Sequence, residues 1–145
     1  MPDEISNAAD WPESLPSEFY VALEELNRGD YFQCHETLEA LWIPERRTVR
    51  ELYQGVLQIA VGCYHLTVRA NWVGAVNKLD AGARRLERAL AGRSTCLYGV
   101  DWLQLVQDAD RLQSHLRDLG RDRLDANEAG SFPLIRVYSH IEPAS

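Results

Sequence analysis

The chain has 145 residues, the size of one ordinary domain and enough to bury a core without disulfide or metal staples. Hydrophobic residues make up 46% and charged residues 26%, the balance of a folded, water-soluble body rather than a disordered chain. A net charge of −7 argues against a general binder of nucleic acid or anionic membrane, and no run approaches the roughly 18 apolar residues of a membrane span.

Residues 1–16 are acidic and punctuated by proline. They have no basic start and no apolar stretch, so neither a secretory signal nor a transit peptide is read there. The expectation is a mobile acidic leader, with Trp11 either tethered onto the body or exposed. The three cysteines, Cys34, Cys63 and Cys96, form no CxxC pair. An odd number of scattered thiols points to free cysteines in a reducing, cytoplasmic setting.

From Pro16 onward the apolar residues recur every three to four positions, and no proline falls between Pro44 and Pro133. The expected fold is all-α, a single bundle of about five helices over residues 17–120. The first predicted helix covers 17–28, with Ser17 as cap, Phe19, Leu23 and Leu26 inward, and Gly29 as stop. The tripeptide Arg28-Gly29-Asp30 reads as a helix end followed by a helix start. The second covers 31–42, with Asp30 and Gln33 as a capping box and Pro44 beyond its end. The third covers 49–69, with Thr48 and Glu51 as another capping box. The fourth starts after Asn71 and runs to Leu90, with Gly92 beyond. Trp72, Ala75, Val76, Leu79, Ala83, Leu86 and Leu90 form its apolar stripe. The fifth follows Asp101 and ends at Leu119 before Gly120, with Trp102, Leu105, Val106, Ala109, Leu112 and Leu116 inward. Residues 121–145 are read as a tail packing on the bundle through Phe132–Tyr138. The four tryptophans are spaced by about thirty residues, but their surroundings share nothing else, so no repeat is read.

One polar constellation stands out. On the second helix, His35 and Glu39 fall one turn apart within an apolar arc that includes Tyr31, Leu38 and Trp42, while Gln33, Glu36 and Thr37 fall on other faces. A carboxylate is rarely buried without a partner. The third helix is apolar around most of its circumference, the signature of a central helix. Yet Glu51, Gln54, Gln58, His65 and Arg69 align within about 40° of one another. Gly55 and Gly62 flank that stripe and imply close approach of a backbone or space for a ligand. The simplest arrangement turns the stripe toward His35 and Glu39.

Three chemistries fit these residue types. His35, Glu39, Gln54, Gln58, His65 and Arg69 can form a buried hydrogen-bond network between two helices, which is the favoured reading. His35, Glu39 and His65 can instead hold a divalent metal, two imidazoles and a carboxylate being a sound donor set. The third chemistry is acid–base work by a His–Glu pair at a small pocket. The second histidine of HExxH is missing, as are paired ExxH motifs.

The order and spacing of Leu26-Asn27-Arg28-Gly29-Asp30-Tyr31-Phe32, His35-Glu36, Leu38-Glu39, Trp42, Gln54-Gly55-Val56-Leu57-Gln58, His65, Arg69, Asn71 and Gly74-Ala75 resemble the domain of unknown function 309 family. The resemblance spans about residues 23–86. Gln33 stands where that family often has an acidic residue, and Ala70 replaces the glycine of an Arg-Gly-Asn triplet. The resemblance implies a small helical protein of the bacterial and archaeal type in a reducing compartment. It carries no catalytic assignment.

Two arginine groups complete the inventory. Arg46, Arg47 and Arg50, and then Arg84, Arg85 and Arg88 with Arg93, offer anion-binding candidates, chiefly Arg84, Arg85 and Arg88. Solvated helix faces explain them more simply, and nucleic acid is disfavoured because no aromatic residues are interleaved for stacking. His115 and His140 are isolated. Charge is segregated: residues 1–45 carry −10, 46–93 carry +6 and 94–145 carry −3. An acidic leader folding over the arginine-rich middle is therefore expected. The leading function is a non-catalytic protein- or ligand-interaction domain. The rivals are a metal-dependent or small-ligand enzyme centred on His35, Glu39 and His65, and an anion or nucleic-acid binder. An exposed helix face offers a route to a homodimer.

Overall fold

A computed structural model describes residues 10–123 of the chain. Among these residues it has five α-helices and no strand: α1 Ser17–Arg28, α2 Tyr31–Trp42, α3 Arg50–Thr67, α4 Trp72–Leu90 and α5 Trp102–Leu119. None is long and apolar enough to cross a membrane. The expected C-terminal tail and the start of the leader lie outside the described residues.

Successive helices run up and down. The antiparallel pairing of α4 and α5 shows in Trp72 Nε1 donating to the Leu116 carbonyl at 2.6 Å, and in Arg84 meeting Asp110, also at 2.6 Å. The central helix is α3, whose apolar surface packs on both α2 and α4. Phe19 closes the array from α1, its ring 5.7 Å from that of Tyr53 and 5.9 Å from that of Trp102.

The helix ends follow local chemistry, with four departures from the sequence reading. Asn71 and Asp101 cap α4 and α5, each accepting from a backbone N–H at 3.0 Å. Gly29 stops α1 at φ +83°, a left-handed conformation that glycine adopts without strain. Asp30 does not cap α2; its carboxylate takes the Arg28 guanidinium at 3.1 Å instead. The first helix begins on Pro16, and Ser17 makes no capping bond. The third helix starts at Arg50, not Val49, and no capping box forms there, the Glu51 carboxylate going to Arg85. It ends at Thr67, short of the expected residue 69 and ahead of Ala70, which holds φ +48°.

Gly55 and Gly62 serve close helix packing, the first of the two purposes expected of them. A Cβ on Gly55 would lie 2.5 Å from Leu86, and one on Gly62 would lie 3.1 Å from the Leu79 amide. Their counterpart on α4 is Gly82, against the backbone of α3.

Residues 10–16, placed in the leader by sequence, pack on the body. Val49 N–H donates to the Asp10 carbonyl, Tyr98 hydroxyl donates to the Pro12 carbonyl, and Leu15 is buried. Trp11 is a tether, its ring 3.9 Å beneath the Arg93 guanidinium.

The thiols divide by burial. Cys34 and Cys63 are buried and Cys96 is exposed. Burial, then the charge of Glu25 and the neighbouring Cys63, pushes the Cys34 thiol far up, and burial pushes Cys63 up to about 12. Since the thiolate is the reacting species, a disulfide-exchange dye at pH 8 is expected to modify one thiol per native chain and all three in denaturant. Fast modification of three native thiols would contradict this packing.

Candidate functional site

The aligned polar residues of α3 do not all face α2. At one end Arg85 of α4 reaches over, donating to Gln58 Oε1 at 3.1 Å and to Glu51 Oε1 at 2.6 Å. The stripe is therefore split between two neighbours, because a central helix has partners on both sides. Gln54 stays on its own: its Oε1 is buried without a hydrogen-bond partner, as are Trp42 Nε1 and Arg50 Nε. Arg50 lies over the Trp42 ring at 4.6 Å.

His35 and Glu39 sit at the rim of the α2–α3 seam rather than deep within it. The His35 side chain is 26% exposed and that of Glu39 is 44% exposed. Their rim position removes the need for a buried partner that the sequence implied. The carboxylate that is buried is Glu25 of α1, which accepts from the Thr37 hydroxyl at 2.8 Å. Glu36, assigned by sequence to another face, comes within 3.5 Å of His35 Nδ1, while Glu39 lies 3.9 Å from His35 Nε2. A glutamate one residue away swings its long side chain around the helix, which a helical wheel of Cα positions does not show.

His65 lies on the α3 side of the same seam. Its Nδ1 is 3.5 Å from Asn71 Nδ2, and its ring packs where a Cβ on Gly74 would stand, 2.8 Å from His65 Cγ. Burial, then the charges of Arg69 and Lys78, lowers its pKa, so the ring is neutral at pH 7. Together Tyr31, Phe32 and His35 of α2 and Val61, Tyr64 and His65 of α3 line a groove of about 200 Å³. Phe32 stands at its edge, 56% exposed, its ring 5.9 Å from Tyr64 and 6.0 Å from His35. A second, more open depression of about 320 Å³ continues past Phe32 and Tyr64 to Val68. Arg69 is exposed, outside the groove lining.

The six residues grouped by sequence thus separate into His35 and His65 on the groove, Glu39 beside His35, Gln58 bound to α4, Gln54 with its Oε1 buried and unpaired, and Arg69 at the surface. Glu36 and the aromatic pair Phe32 and Tyr64 are what sequence reasoning missed. Phe32, next in sequence to Tyr31 of the apolar arc, was the available signal.

Residues 19–77 match the family model of a domain of unknown function, DUF309. The chain resembles the DUF309 family over that stretch, which lies close to the 23–86 read from its motifs. No curated protein and no solved structure matches the chain in the corresponding searches. The DUF309 segment contains α2, α3 and the groove between them, and it ends within the first turns of α4. His65, Asn71 and Gly74 act as one unit there, with Asn71 capping α4 beside the ring that Gly74 accommodates.

The arginines proposed for anions are largely occupied. Arg84 pairs with Asp80, Glu87 and Asp110 within 3.3 Å, and Arg85 with Glu51. Arg47 clasps Glu45 through two guanidinium nitrogens. Arg88 is exposed. Intramolecular carboxylates therefore hold Arg47, Arg84 and Arg85.

Proposed function

We propose that the chain is a non-catalytic interaction domain that takes a small, largely apolar ligand in the groove between α2 and α3. The observation that supports this reading is the lining itself. Aromatic and aliphatic walls with a few polar groups are the usual make-up of small-molecule sites. Here Tyr31, Phe32, Val61 and Tyr64 supply the walls, and His35 and His65 supply one imidazole from each helix. At about 200 Å³ the groove suits a single ring or a short aliphatic chain rather than a nucleotide. The neutral His65 ring offers an acceptor or a donor according to its tautomer. The three free thiols support a reducing, cytoplasmic location.

The test uses a neutral single-ring probe, 4-fluorophenol, followed by its fluorine resonance on titration with the full chain with a chelator present. Saturable binding is expected, weakened at least tenfold by Val61→Arg, which fills the groove from its α3 wall. A melting curve checks that the variant folds. Equal probe binding by the wild type and the variant would remove the groove as the working surface.

A further inference from the structure

Beside the groove, His35, Glu36 and Glu39 each place one ligand atom so that all three lie within 4.8 Å of one another. Among the described residues they are the group of three metal-capable side chains that closes to this degree. They sit on consecutive turns of one helix, so the backbone of α2 already holds their spacing. The side chains are 26%, 49% and 44% exposed, so an ion can reach them and water can complete its shell. No Lys or Arg among the described residues forms an ion pair with Glu36 or Glu39, and the pair of carboxylates is drawn to a neighbouring imidazole instead. His65, grouped with His35 and Glu39 by sequence, falls outside this cluster and packs against Asn71 and Gly74.

We propose that His35, Glu36 and Glu39 form a binding site for a divalent transition-metal ion such as zinc. One borderline-soft nitrogen and two carboxylate oxygens suit zinc; Glu36 lies at Nδ1 and Glu39 at Nε2 of the ring, so bonds of about 2.0–2.2 Å to one ion require one glutamate to swing to the nitrogen the other occupies. An imidazole selects against calcium and magnesium, which prefer all-oxygen shells. Three protein ligands leave the remaining position to water or to a donor atom of a ligand. The site lies at the rim of the groove because His35 belongs to both.

The experiment is calorimetric titration of zinc into the full-length, chelator-stripped chain without any groove probe. One equivalent per chain is expected. His35→Ala and Glu39→Gln should each weaken it at least tenfold, and Glu36→Gln should weaken it as well. A His115→Ala/His140→Ala double variant should bind as the wild type does, and calcium and magnesium should bind at least tenfold more weakly than zinc. Absence of binding, affinity untouched by His35→Ala, or loss of binding in the double variant would overturn the proposal. Should a variant fail to fold, the wild-type imidazole resonances decide: zinc must perturb His35 ahead of the other histidines. The groove probe is measured in chelator and zinc without probe, so either reading can fail alone.

Discussion

Replacing Trp102 by alanine is expected to cost about 3–5 kcal/mol of stability, the range for removing a large aromatic from a packed core. The side chain is fully buried, and its Nε1 donates to the Leu97 carbonyl at 2.7 Å. Its ring meets Phe19 of α1, so the residue ties the start of α5 and the loop before it to the first helix. Truncation leaves a cavity at that junction and removes the shorter of two hydrogen bonds to the Leu97 carbonyl, which keeps the Val100 N–H at 3.3 Å. Against a total of roughly 5–15 kcal/mol for a domain, the loss is a large share. The melting temperature should fall by about 10–20 °C. Trp102→Phe keeps most of the ring and should cost clearly less. A fall of only a few degrees in the alanine variant would show that α1 does not close on α5 as described.

The second large effect concerns Gly82, where two tendencies oppose each other. Alanine improves helix propensity over glycine by about 1 kcal/mol in the middle of a helix. A Cβ on Gly82, however, would stand 2.7 Å from the Gly55 carbonyl oxygen and 3.0 Å from the Ile59 amide. Both are backbone atoms of a central helix, so α3 and α4 must move apart. Overpacking of this kind costs about 1–3 kcal/mol, and every apolar contact along the pair loosens with it. Gly82→Ala is therefore expected to lower stability in denaturant unfolding, and Gly82→Val to lower it further. An increase on Gly82→Ala would mean that propensity prevails and that the two helices lie farther apart. At Gly55 the nearest obstacle is the end of the Leu86 side chain, so the same substitution there should be milder.

The groove and the metal cluster share α2, which links the fold to function. That helix buries only Tyr31, Cys34 and Leu38, so most of its surface is left for contacts. The central α3, which buries eleven of its 18 residues, has less such freedom. The polar residues of α3 are instead divided between α2 and α4, and Arg85 takes two of them.

Much of this was legible in residue order. The five helices, their stops at Gly29 and Gly120, the helix starts after Asn71 and Asp101 and the central place of α3 all follow from short-range rules of periodicity and backbone bonding, whereas the caps expected of Ser17, Asp30 and Thr48 do not form. These rules act over three or four residues, so a linear reading reaches them. The resemblance to the DUF309 family followed in the same way from local motifs. Partner choice among helices did not. Gln58 looks toward α2 or toward α4 according to a rotation of α3, and the close contacts of Gly55 and Gly82 set that rotation. Glu36 looked misplaced because a wheel projects Cα positions and not the reach of a flexible side chain. Glu39 looked buried because an apolar arc has edges, and packing alone decides where water begins. The same holds for Arg84 and Arg85, which meet Asp110 and Glu51, residues distant along the chain. Periodicity assigns each residue to a face of its own helix, but which face meets which neighbour is a long-range choice, made by the fit of side-chain volumes across helices.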